Sequence, residues 1–115
     1  MSFKDDLLKE SQDYLQKLVN EHWITENLSQ KGIDLLNSLL NRVNPLELPT
    51  IAPGPDNTFG FTWENERHYI SISILSIGLI ESYYEDLSKS GPTIFVESDT
   101  IPNSIIEKLE LYFNK

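Results

Sequence analysis

The chain contains no cysteine, and that absence removes several chemistries at once. A disulfide scaffold, a thiolate zinc site and a cysteine nucleophile all need a residue that is not there, and nothing points to an oxidising compartment. Glycine is scarce: five residues are scattered along the chain, and no Gly-x-x-x-x-Gly-Lys loop is present to cradle a phosphate. No Gly-x-Ser-x-Gly elbow presents a serine for attack. The two histidines, His22 and His68, do not form a recognisable zinc set. His22 reads as a helix-end residue beside Trp23, and His68 opens a strand beside Arg67, where an edge role competes with a catalytic one. Long apolar runs are missing too. The richest, residues 70–80, is interrupted by serines and is shorter than the roughly 20 residues of a membrane helix. The opening Met1-Ser2-Phe3-Lys4-Asp5-Asp6 has no basic stretch leading into an apolar one, so a secretory leader is not expected and a cytoplasmic location is.

Positive charge is also in short supply. Nine Lys and Arg face eighteen Asp and Glu, for a net charge of −9 over 115 residues. Nucleic-acid backbones and anionic lipid surfaces are read by clustered Lys and Arg, so neither is an expected partner. A basic protein or a cation is compatible with the imbalance. Frequent Asn, Ile, Lys, Ser and Tyr suit an AT-rich bacterial or phage genome.

What is present is patterning for a single α+β domain, 1–115, of a length usual for one core. Residues 1–43 read as a helical hairpin. Leu7, Leu8, Tyr14, Leu15, Leu18 and Val19 recur at helical spacing behind the acidic first turn of Asp5 and Asp6. A second helix, capped by Thr25, carries Leu28, Ile33, Leu35, Leu36, Leu39, Leu40 and Val43; Gly32 within it could move the start towards Ser29. Residues 44–57 hold four prolines and read as an extended linker, pinned by Leu46, Leu48 and Ile51. Residues 58–97 alternate with period two. Phe59, Phe61 and Trp63 make one strand, Glu64-Asn65-Glu66-Arg67 a turn, and Ile70, Ile72 and Ile74 the next strand. After Gly78 a third strand spans 79–85, residues 86–92 form a loop, and a fourth strand spans 93–97. A final helix, 100–114, is capped by Thr100, has Pro102 in its first turn, and carries Ile105, Ile106, Leu109, Tyr112 and Phe113 on one face. The order ααββββα predicts a four-stranded antiparallel meander with helices packed on one face.

Alternation then assigns the opposite face: Tyr69, Ser71, Ser73, Glu81, Tyr83, Glu85, Thr93, Phe95 and Glu97, provided the third strand keeps this register. Charge concentrates nearby. Residues 44–103 hold nine acids and two bases, against seven acids and five bases in residues 1–43. Such a face would attract a basic protein through Glu81, Glu85 and Glu97 and anchor it through Tyr69, Tyr83 and Phe95. The same charges would equally serve to keep the protein soluble. A calcium site built from Glu81, Glu85, Asp86, Glu97 and Asp99 is a second expectation, although no EF-hand spacing occurs. Self-association through the isoleucine-rich sheet is a third. No cleft for paired catalytic carboxylates can be argued at this size, so no enzyme activity and no cofactor are expected.

The run Pro55-Asp56-Asn57-Thr58-Phe59-Gly60-Phe61-Thr62-Trp63, followed by Ile70-Ser71-Ile72-Ser73-Ile74 and Gly78, resembles small uncharacterised bacterial proteins in which a Pro-rich loop leads into a Trp-ended hairpin. The likeness covers about 40 residues of the chain, departs where Asn57-Thr58 replaces the usual glycine, and implies a fold without implying an active site. In size, acidity and α+β build the chain is also similar to immunity proteins, antitoxins and phage-encoded inhibitors.

Overall fold

A computed structural model describes residues 3–44, 47–88 and 93–113. Helix α1, Phe3–Asn20, buries Leu7, Ser11, Leu15 and Leu18, a stripe spaced by four, four and three residues. Tyr14, expected on that stripe, stands 39% exposed, while Ser11 takes an inward position. The helix stops where His22 takes φ 66°: the His22 amide donates to Val19 O and the Trp23 amide to Leu18 O. Those two bonds satisfy carbonyls of the last turn.

Helix α2, Glu26–Leu40, begins at the expected cap, with the Thr25 hydroxyl accepting from the Leu28 amide at 3.3 Å. Gly32 therefore lies inside the helix and does not displace its start. It is buried against the sheet, and a Cβ there would overlap the ring of Phe59. α1 and α2 pack together as a hairpin.

Five strands follow, not four: β1 Thr50–Gly54, β2 Thr58–Glu64, β3 His68–Ile74, β4 Ile80–Asp86 and β5 Ile94–Ser98. They form one antiparallel sheet in the order β1-β2-β3-β4-β5. The extra strand falls inside the proline-rich segment expected as a linker. Pro53 is tolerated because β1 is an edge strand bonded only to β2. Of the residues expected to pin this segment, Ile51 packs against the core and Leu48 is exposed, while Leu46 lies outside the described residues. The indole of Trp63 donates to Glu47 O at 3.3 Å and holds the approach to β1.

The connections follow local turn chemistry. Between β1 and β2, Asp56 and Asn57 both take left-handed φ values, 56° and 60°. Asn57 thus adopts the conformation that a glycine would take, and its side chain also accepts from the Thr25 amide at 2.9 Å. Between β2 and β3 the Asn65 side chain accepts from the amides of Arg67 and His68, at 2.8 Å each. Glu64, expected in this turn, instead ends β2. Between β3 and β4, Gly78 takes φ 90° and its amide donates to Leu75 O. The expected loop residues Lys89, Ser90, Gly91 and Pro92 lie outside the described residues.

Helix α3, Asn103–Phe113, starts later than the cap expected at Thr100. The carbonyl of Pro102 accepts from the Ile105 and Ile106 amides, so the helix follows Pro102 and does not contain it. Arg42, just past α2, donates to Ile101 O and to the Asn103 side chain, joining the two helix ends. Residue 114, expected in this helix, lies outside the described residues.

The buried core draws on all three helices and on the inner face of the sheet: Phe59, Phe61 and Trp63 of β2, Ile70, Ile72 and Ile74 of β3, and Ile80 and Tyr84 of β4. The shortest dimension of the molecule, 23 Å, suits one helix layer on one sheet layer. Among the described residues no helix is long and apolar enough to cross a membrane.

Candidate partner-binding face

Because side chains alternate along each strand, burying Phe59, Phe61, Trp63, Ile70, Ile72 and Ile74 turns the residues between them outward. Register then aligns the outward residues into rows. The middle row runs Thr50, Thr62, Ser71, Tyr83, Phe95 across all five strands. One neighbouring row runs Ala52, Gly60, Ser73, Glu81, Glu97, and the other holds Glu64, Tyr69 and Glu85. All six residues expected to meet a partner, Tyr69, Glu81, Tyr83, Glu85, Phe95 and Glu97, are thereby on one surface.

The surface has two halves of different character. On the β3–β5 side, Tyr69 and Tyr83 meet edge to face with centroids 5.7 Å apart. The Tyr83 hydroxyl donates to Glu85 Oε1 at 2.7 Å, which fixes both side chains on the surface. That bond, burial and the negative charge of Glu85 together push the Tyr83 phenol up from its ordinary value, so it stays a protonated donor. Phe95 stands 59% exposed, a large apolar ring with no cover among the described residues. Glu81 and Glu97 sit directly across from one another on β4 and β5. On the β1–β3 side the outward residues are small, and they floor a shallow depression of about 570 Å³ that includes Ala52, Gly60, Ser71 and Ser73, with Ile77 and Glu81 at its rim. No Lys or Arg occurs among the described residues of the strands that face this way.

Sequence reasoning missed Glu64 and the depression. Glu64 was hidden by its place next to a turn, although the same alternation that turns Phe59, Phe61 and Trp63 inward also turns it outward. The depression depends on β1, which proline obscured.

The five carboxylates expected to hold calcium are not gathered. Asp86 is on the opposite face from Glu81 and Glu85, aligned with His68, and Asp99 lies beyond the end of β5. Asp86 instead accepts from the amide and hydroxyl of Ser88, which hold its carboxyl below the usual carboxylate range. Among the described residues no three His, Asp or Glu side chains are placed to share a metal ion. Nor are the isoleucines available to a second copy: Ile70, Ile72 and Ile74 are each 0% exposed beneath the helices.

Neither histidine forms part of the outer surface. His22 is exposed at the end of α1. His68 is on the central strand β3, not at an edge, and is buried on the inner face. Its Nδ1 is 2.8 Å from the Tyr84 hydroxyl, and its ring is tilted against Tyr84 and edge-on to Tyr112. Burial raises the Tyr84 phenol, and the ammonium of Lys108 lies 5.0 Å from the centre of its ring. This is a polar knot inside the core, and the sheet itself separates it from the outer surface. Comparison with protein-family models, with curated proteins and with solved structures finds no match to this chain.

Proposed function

We propose that the protein is a non-enzymatic acidic binding protein that recognises and neutralises a basic protein by covering it with the outer face of its sheet. One observation carries this reading: Tyr69, Tyr83 and Phe95 share a surface with Glu64, Glu81, Glu85 and Glu97, and among the described residues of the strands no cation offsets them. Carboxylates spaced along strands pair with Lys and Arg, while aromatic rings supply contact area that loses little side-chain freedom on docking. The Tyr69–Tyr83–Glu85 cluster is already held by its own hydrogen bond, which lowers the ordering cost of binding. The mode is occlusion, as in immunity proteins, antitoxins and phage inhibitors, and a cysteine-free chain suits action in the cytoplasm.

The test is affinity capture from a lysate of the source organism at low and high salt, using the wild-type protein and the double variant Glu81→Lys, Glu85→Lys. The expected result is one basic protein that the wild type retains at low salt and releases at high salt, and that the variant fails to retain while keeping the wild-type melting temperature. Equal retention of that protein by the folded variant would remove the assignment of this face.

A further inference from the structure

A five-stranded open sheet has two edges, and here they are furnished differently. β1 contains Pro53 and is flanked by Pro49 and Pro55, so it offers few amides to an incoming strand. β5, Ile94-Phe95-Val96-Glu97-Ser98, has no proline and no lysine, the usual guards of an edge. Its Ile, Phe and Val are strong strand formers. Among the described residues β5 pairs with β4 alone, and alternate N–H and C=O groups are left along its other side.

Among the described residues the helix layer packs mainly on the other strands. α3 packs over β3 and β4; on the inner face Ile94 packs against the border of the core and Val96 is half-buried. Phe95 on the outer face is the most exposed ring of the sheet. A sixth strand laid along β5 would therefore cover apolar surface on both faces while satisfying backbone groups.

Charge selects the occupant. Glu97 is on β5 itself, with Glu81 directly across on β4 and Glu85 further along that strand. A second copy of this chain, itself at −9, would bring its own carboxylates against these. An extended segment with Lys or Arg at alternate positions would place its cations beside Glu97 and its apolar residues beside Ile94 and Val96.

We infer that the free edge of β5 is the partner's docking line, where an extended basic segment of the target adds as a sixth strand. The inference rests on the reading that the target is basic and specifies how it is held.

The experiment is a titration of the isotope-labelled full-length protein with an alternating lysine–valine octapeptide, followed by NMR and amide hydrogen exchange. A counterpart N-methylated at every backbone amide keeps the charge and side chains but has no N–H left to donate to the edge. The expected result is that the amides of Ile94–Ser98 shift and exchange at least tenfold more slowly with the peptide, and that the methylated counterpart binds at least tenfold more weakly. Equal binding of both peptides, with shifts confined to the surroundings of Tyr69 and Tyr83, would overturn the edge while leaving the basic-partner reading standing. No saturable binding of either at millimolar peptide would count against both. Protection of the β5 amides that rises with protein concentration and needs no peptide would assign the edge to a second copy instead.

Discussion

His22 ends α1 in a backbone conformation that side chains with a Cβ resist, at about 1–2 kcal/mol for a left-handed residue. Glycine removes that strain but makes the unfolded chain more flexible, which takes back about 0.4–1 kcal/mol. His22→Gly should therefore raise stability by about 0.5–1 kcal/mol, read as a higher urea midpoint at unchanged slope, whereas His22→Ala should bring no gain. Tyr112 makes a pH-dependent contribution of the opposite kind. Its hydroxyl donates to Glu64 O at 3.1 Å, and burial first, then the Glu47 and Glu64 carboxylates, push its phenol up to about 12. An unfolded tyrosine loses its proton near pH 10, so the native state holds the proton more tightly between the two values. The associated stability is complete below pH 10 and is lost as pH rises towards 12, by about 2–3 kcal/mol. Tyr112→Phe should flatten that alkaline fall in denaturant titrations, and should cost about 1 kcal/mol at neutral pH by leaving Glu64 O without its donor.

Among the elements, α2 and β2 are matched by an absence of atoms. Helix propensity alone favours Gly32→Ala by about 1 kcal/mol. The ring of Phe59 occupies the place where that methyl would go, and overpacking of a filled core costs about 1–3 kcal/mol. Gly32→Ala should thus destabilise the protein in thermal or urea unfolding. Combining it with Phe59→Leu should cost less than the sum of the two single changes, because the second relieves the first. The hairpin of β2 and β3 and the outward set Tyr69, Ser71, Ser73, Glu81, Tyr83, Glu85, Phe95 and Glu97 were legible in the sequence, since alternation under a buried face permits one register only. β1 was not legible. Four prolines in residues 44–57 signal a linker unless the strand is known to be at an edge, and position within a sheet is not a local property. The same holds for His68: nothing adjacent in the chain shows that its strand becomes the central one and that Tyr84 and Tyr112 close around it.

For the molecule as a whole, the charge of −9 sets a field as well as a contact surface. Residues 44–103, which include the whole sheet, hold nine of the eighteen acids and two of the nine bases, so most of the net charge belongs to the segment that builds the sheet. Steering of this kind is worth about 10- to 1000-fold in association rate and fades with ionic strength. Once the partner is captured, its association rate should fall steeply with added salt while its dissociation rate changes less, measured by stopped flow or surface-based kinetics. Exchanging exposed acids of α1, such as Asp13→Asn, should alter that rate less than Glu85→Gln, because charges beyond a Debye length of about 10 Å from the docking surface are screened.

Composition and periodicity were enough to set the class of the protein. Period two and period 3.6 are local consequences of backbone geometry, and they assign inward and outward residues before any strand is paired. The excess of carboxylates is likewise a property of the chain in any conformation. Folding alone decided which acids and rings became neighbours, that a proline-rich segment became one edge strand of the sheet, and that β5 became the other. Those features depend on which strands pair and where the helix layer stops, and such long-range contacts are selected by how the entire core packs, not by any one stretch of residues.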